Sequence, residues 1–206
     1  MTKNTSSPNT LRESRGLPDP PPIPKELQPT LFDTSETAAD KEAALALRAR
    51  SCCFTGHRDL SAEERKKAVS GLESCTEKLY SIGIRCFYIG GAVGFDTLAW
   101  ETVLALRESH PDVKVIAVLP CRDFAAKWGA EDRLKAAALL ERSSEIIFTE
   151  EHYSPSCMHK RNRYMVDHSA VCVSFYRGGT GGTKNTEEYA RRRGLELINL
   201  CGLSDN

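Results

Sequence analysis

An α/β fold, Rossmann-like, with a mostly parallel open sheet flanked by helices, is what this 206-residue sequence predicts. Three observations lead there. From residue 51 onward, six short apolar segments alternate with helix-forming ones, the pattern of β–α units laid side by side. Two of the apolar segments, VIAVL and AVCVSF, are continuous runs, as strands covered on both faces must be. Three of the strands lead directly into glycine-bearing turns. In an open parallel sheet such turns gather at one edge, outside the carboxyl ends of the strands.

Residues 1–35 hold Pro18, Pro20, Pro21, Pro22, Pro24 and Pro29 among Ser, Thr and charged residues. Such a segment buries too little apolar surface to offset its ordering entropy, so a disordered Pro-rich leader is expected, open to a protein partner. Residues 36–50 are rich in Ala, Leu, Glu and Arg and read as a short helical linker with Ser35 as its N-cap. The domain proper is then 51–206. Its first strand, 51–55, ends in the turn GHRDL. Ser61 with Glu64 three residues on forms a capping-box pattern, starting a helix that runs to about Ser81 and stops near Gly83. A strand over 86–89 leads into GGAVG and a helix to about Ser109, broken by His110-Pro111. Next come a strand over 113–119, a helical region over 125–142 interrupted near Gly129, a strand over 145–149, and a loop and helix over 153–167. The last part reads as strand 170–176, loop 178–182, helix 183–193 stopped by Gly194 in the C′ position, and strand 195–200.

Lys plus Arg and Asp plus Glu both total 28, so no whole-molecule field favours nucleic acid or an anionic membrane, and nucleic acid is not expected as a partner. No run approaches the ~18 apolar residues of a membrane span. The N-terminal residues lack the apolar core of a signal peptide, so a cytoplasmic protein is expected. The eight cysteines show no CxxC spacing, and Cys52, Cys53, Cys86 and Cys172 fall in strands, where cysteine acts as a small buried hydrophobe. Reduced thiols, no metal and no cofactor are therefore expected.

Three constellations carry chemistry. After the first strand, Gly56 allows a sharp turn, Thr55 offers a hydroxyl, and Arg58 beside His57 can pair bidentately with phosphate. After the second, Gly90, Gly91 and Gly94 permit close backbone approach just before a helix N-terminus, and Asp96 either accepts from a ribose hydroxyl or caps that helix. After the fifth, Gly178, Gly179, Gly181 and Gly182 make left-handed backbone cheap, Thr180 and Thr183 add hydroxyl donors, and Arg161 and Asn162 stand on the preceding helix. His159 and His168 lack a partner at dyad spacing. Glu101 reads as a ligand contact or a solvated helix charge. Trp100 reads as a packing group, and Trp128 as packing or a base-stacking face.

In order and spacing, the segments CCFTGHR, IGGAVGFDTLAWE, VIAVLP, MHKRNRYM and YRGGTGGTKNTEEYA resemble the YpsA-like branch of the SLOG superfamily over about residues 50–201. That superfamily also holds the DprA DNA-processing proteins and the Lonely Guy phosphoribohydrolases. The resemblance implies a Rossmann-like domain that binds a nucleotide or nucleotide-derived ligand at its glycine edge, and homo-oligomers are common in the superfamily. Against the Lonely Guy MHxRK segment, Met158 to Asn162 places the catalytic arginine on Arg161. Against the PGGxGTxxE loop, Gly182-Thr183 matches GT, yet the glutamate position falls on Thr186, with Glu187 one residue later. One residue is ~100° of helix rotation, and the leading proline of the loop is missing, so both departures weaken a glycosidase reading.

The expected function is binding or sensing of a nucleotide-like small molecule, ADP-ribose-like among others, through the residues named in the three turns. The alternative is hydrolysis of the N-glycosidic bond of a nucleoside 5′-monophosphate, with Arg161 and Glu187 as its catalytic pair. A further alternative is single-stranded DNA binding, which the neutral charge and scarce interleaved aromatics oppose.

Overall fold

The computed structural model describes residues 37–202. The Pro-rich leader and the Ser35 cap lie outside them. Six strands, β1 (Ser51–Gly56), β2 (Cys86–Ile89), β3 (Lys114–Leu119), β4 (Glu145–Phe148), β5 (Val171–Phe175) and β6 (Glu196–Asn199), form one sheet in the order β4-β3-β2-β1-β5-β6. Every neighbouring pair is parallel. Helices α2 (Ala62–Ser81), α3 (Phe95–Ser109), α4 (Ala130–Glu141), α5 (Cys157–Asp167) and α6 (Gly182–Arg192) make the crossovers, and α1 (Ala38–Ala49) precedes the sheet.

The winding follows from crossover handedness. From β1 to β4 the chain steps outward one way, and right-handed crossovers put α2, α3 and α4 on one face. After β4 it returns past β1 and steps outward the other way, so α5 and α6 cover the opposite face. The core divides accordingly. One cluster joins Phe54, Phe87, Val115 and Phe175 of the sheet to Leu72, Trp100, Val103 and Leu139 of α2, α3 and α4. The other joins Cys53, Tyr88, Ile116 and Cys172 to Met165, Val166 and Ala190 of α5 and α6. Adjacent Cys52 and Cys53 fall in different clusters, as strand alternation requires.

Local signals set the boundaries. Ser61 and Glu64 form the capping box at the head of α2. At α1 the same device is built from Thr37 and Asp40, in place of the expected Ser35. α1 buries none of its residues; Ser51 Oγ donates to Leu47 O (2.6 Å) and Arg48 Nη2 to Arg193 O (3.1 Å). The helical region expected over 125–142 is helix only from Ala130, with Gly129 as its N-cap. Before it the chain turns, and Phe124 and Trp128 pack edge to face at 5.3 Å. Gly194 takes φ +73° after α6, the left-handed stop expected there. No helix among the described residues is long and apolar enough to cross a membrane.

Candidate functional site

The direction of winding reverses between β1 and β5. Adjacent connections leave the sheet on opposite faces at such a reversal and open a crevice at the carboxyl ends. Register makes it deep: Thr55 pairs with Ser174 and Gly56 with Phe175. Cys53 pairs with Tyr88, and continuing that register sets Gly90 level with Thr55. The three glycine turns therefore start from one level of the sheet.

They also touch. Phe95 N–H, at the head of α3, donates to His57 O (3.1 Å). Gly94 has φ +92°, and a Cβ there would lie 2.2 Å from Arg58 O, so the second turn is pressed against the first. A Cβ on Gly56 would lie 2.4 Å from the Phe95 ring. On the other side Arg177 N–H donates to His57 Nε2 (3.3 Å), and the His57 and Tyr176 rings stack at 5.8 Å. Arg177 Nη1 donates to Asp59 O (3.2 Å) and to Glu64 Oε1 (2.7 Å), fastening the third turn to the start of α2. Burial, then the Arg177 charge, holds the His57 pKa below its ordinary value, which suits an imidazole accepting a hydrogen bond at Nε2.

Between these turns lies a cleft of about 250 Å³. The first turn contributes Thr55, Gly56, His57 and Arg58, and the second Ala92 and Asp96. From α5 come Met158, Arg161 and Asn162, and Tyr176 leads to Thr180, Gly181, Gly182, Thr183 and Lys184 of the third. At the base sits a buried ion pair: Arg161 Nη1 donates to Asp96 Oδ2 at 3.4 Å, each residue 5% exposed. The pair fills the space that Gly90 leaves, since a Cβ there would fall 1.7 Å from Arg161 Nη1 and 2.7 Å from Asp96 Oδ2.

The pair is incompletely satisfied. Arg161 Nε is buried and has no hydrogen-bond partner among the described residues. Burial raises the Asp96 pKa, with Arg161, the Ala92 N–H and Arg58 acting against it. Burial lowers that of Arg161, but a guanidinium starts so high that it stays charged. Arg58 forms no ion pair among the described residues, and Lys184 is held by Glu188 at 3.7 Å. The cleft thus holds two guanidinium groups and one carboxylate, and of the two only Arg161 is paired with Asp96 among the described residues. At its other wall α6 follows its N-cap Gly181 (φ +135°), with no side chain among the described residues capping its first turn, so its leading N–H groups and dipole end face the same space.

The expected residues divide. Thr55, Gly56, His57, Arg58, Asp96, Arg161, Asn162, Thr180, Gly181, Gly182 and Thr183 meet around the cleft. Gly90, Gly91 and Gly94 lie beneath it as spacers: Gly91, at φ +68°, leaves room for Leu119 and Trp100. Gly178 and Gly179 form the exposed base of the third turn, where Tyr176 OH donates to Gly179 O. Glu187 does not line the cleft. It is 2% exposed, accepts from Ser174 Oγ (2.6 Å) and pairs with Arg191 (3.0 Å). The one-residue offset rotates it onto the sheet, while Thr186 faces α5 and accepts from Asn162 Nδ2 at 2.8 Å. Glu101 pairs with Lys135 (2.7 Å), and His168 lies against Tyr164 at 3.9 Å. Trp100 is core, its Nε1 donating to Ser143 Oγ (3.0 Å). Sequence reasoning missed Ala92, Met158, Tyr176 and Lys184. Lys184 carried a signal, since it follows the loop threonine in the first turn of a helix.

Solved structures share this architecture. A DNA processing protein A from Helicobacter pylori, described for its single-stranded DNA binding mode, superposes with TM-score 0.54 at 16% identity, over 75% of this chain and 66% of its own. DprA from Streptococcus pneumoniae gives TM-score 0.51 at 20% identity, over 73% and 50%. These figures speak for the fold. They also overturn the expectation against nucleic acid as a partner, because this fold is used by a protein that binds single-stranded DNA. Among curated sequences, the SPbeta prophage-derived protein YoqJ of Bacillus subtilis is 35% identical over 118 residues, 52% of this chain and 69% of its length. A UPF0398 protein of Oenococcus oeni is 27% identical over 121 residues, 58% of this chain and 63% of its length. The family model described as the YspA SLOG family matches residues 53–193, and the chain belongs to that family.

Proposed function

We propose that the cleft binds a nucleotide unit by its phosphate and sugar. The observation that carries this is the buried, half-satisfied Arg161 facing the uncapped N-terminus of α6 across a glycine-lined crevice. Phosphate is the group that suits both walls: it accepts from backbone N–H groups at the α6 end and from guanidinium at the other. Arg58, exposed at the rim without an ion-pair partner among the described residues, closes over it. The Oδ1 atom of Asp96 accepts no hydrogen bond among the described residues and is left for a ribose hydroxyl. Turnover has little support, since the one carboxylate that lines the cleft among the described residues is already tied to Arg161, and Glu187 is occupied elsewhere.

Single-stranded DNA is the second reading, and the comparisons favour it over a free nucleotide. Its specific support is the fold shared with the H. pylori protein. Calorimetric titration with dTMP and AMP tests the first reading. Wild type binds at least one of them. Arg58→Gln weakens that binding about tenfold or more, the scale of one charge-assisted hydrogen bond, and leaves the melting temperature nearly unchanged. Absence of binding by wild type sinks the reading.

A further inference from the structure

Beside the cleft, α5 and α6 form a second depression of about 500 Å³. Asn162 lines both, and its amide donates to Thr186 (2.8 Å) at their border, so the two spaces are neighbours. Arg163 and Arg192 stand on this groove, from α5 and α6 respectively, and both are exposed. Neither forms an ion pair among the described residues. Instead both guanidinium groups rest on the Tyr189 ring, at 5.4 and 5.8 Å from its centroid. Tyr189 is itself fixed, its hydroxyl donating to Asp167 (3.0 Å). Acidic groups nearby are engaged: Glu188 with Lys184, and Asp167 with Arg193 (2.7 Å).

Two cations are thus held in place by an aromatic surface and left without a counter-charge. Arg163 follows Arg161 by two residues, ~3 Å of rise and ~200° of rotation, so α5 presents one guanidinium to the cleft and the next to the groove. A ligand with one phosphate can meet only one of the two, whereas a polymer with a phosphate at each unit offers a charge to each.

We infer that the α5–α6 groove binds the phosphodiester of the nucleotide adjoining the one in the cleft, so that the ligand is a single-stranded oligonucleotide. This rests on the nucleotide reading of the cleft. Arg163 and Arg192 take the phosphate, and the Asn162 and Asn185 amides adjoin the sugar. The Tyr189 face is covered by guanidinium and does not stack on bases, so the groove is indifferent to sequence.

The test uses the full chain, fluorescence anisotropy with 5′-fluorescein-labelled (dT)8, and competition by unlabelled dTMP. Wild type binds the octamer at least about tenfold more tightly than dTMP. Arg163→Gln with Arg192→Gln weakens the octamer about tenfold and lowers the slope of log affinity against log salt by about 1, while dTMP competes within about twofold of wild type. Arg163→Lys with Arg192→Lys keeps most of the octamer affinity, because the charges remain. An octamer bound no better than dTMP, unchanged octamer affinity in the Gln variant, or equal competition by a poly-glutamate peptide overturns the inference. Octamer binding that depends on the groove but resists dTMP in wild type overturns the cleft reading and leaves the groove standing.

Discussion

Two glycine-rich turns of this chain look alike as text and differ as matter. In the turn after β2, added methyl groups meet the protein itself: 1.7 Å from Arg161 at Gly90 and 2.2 Å from the Arg58 carbonyl at Gly94. In the turn after β5, methyl groups at Gly178, Gly179, Gly181 and Gly182 meet nothing within 4 Å among the described residues. The first turn uses glycine to let other parts of the site in. The second uses it to reach φ of +98°, +94° and +135° while leaving its backbone bare. One turn is a socket for the neighbouring elements, and the other is the surface left for a ligand.

The sharpest way to break that contrast is Gly94→Ala. Its methyl collides with backbone and its φ is left-handed, so overpacking and strain add to about 3 kcal/mol, lowering the melting temperature by about 6–12 °C for a domain of this size. A melting temperature within about 2 °C of wild type would show that the first two turns are not in fixed contact. Gly179→Ala has only its φ against it and should cost about 1–2 kcal/mol, with nucleotide binding kept within about threefold. If it destabilises as much as Gly94→Ala, the open turn is packed after all. The smallest effect concerns His57, which joins the two turns. Its folded pKa lies below its unfolded value near 6.5, so below that pH the unfolded chain takes the proton first and stability falls as pH falls. Urea midpoints at pH 7.5 and 5.5 should therefore drop more in wild type than in His57→Gln, and equal drops would remove His57 as the link.

The strands were legible because burial on both faces writes continuous apolar runs, and the meeting of the turns because parallel connection leaves no other edge for them. Glu187 was legible as misplaced: counting from Thr183 puts it one residue past the expected position, and in the fold that residue turns to Ser174. Other features depend on tertiary contact. Nothing local distinguishes Gly90 as the neighbour of a side chain 71 positions away, or Thr37 from Ser35 as a cap. The basic runs that contain Arg163 and Arg192 are visible in the sequence, and a net charge of zero over the whole chain says nothing against them. A sum over the chain has no address.

Seven of the eight cysteines are buried and the eighth, Cys201, is half-buried, all as free thiols. Burial pushes the Cys75 thiol up to about 11 and raises Cys86 as well, so few thiolates are present near neutral pH to react. The sheet thereby carries its own folding gauge: a thiol reagent that consumes at most about one equivalent from the intact protein and eight after denaturant counts unfolded molecules directly, with no label added.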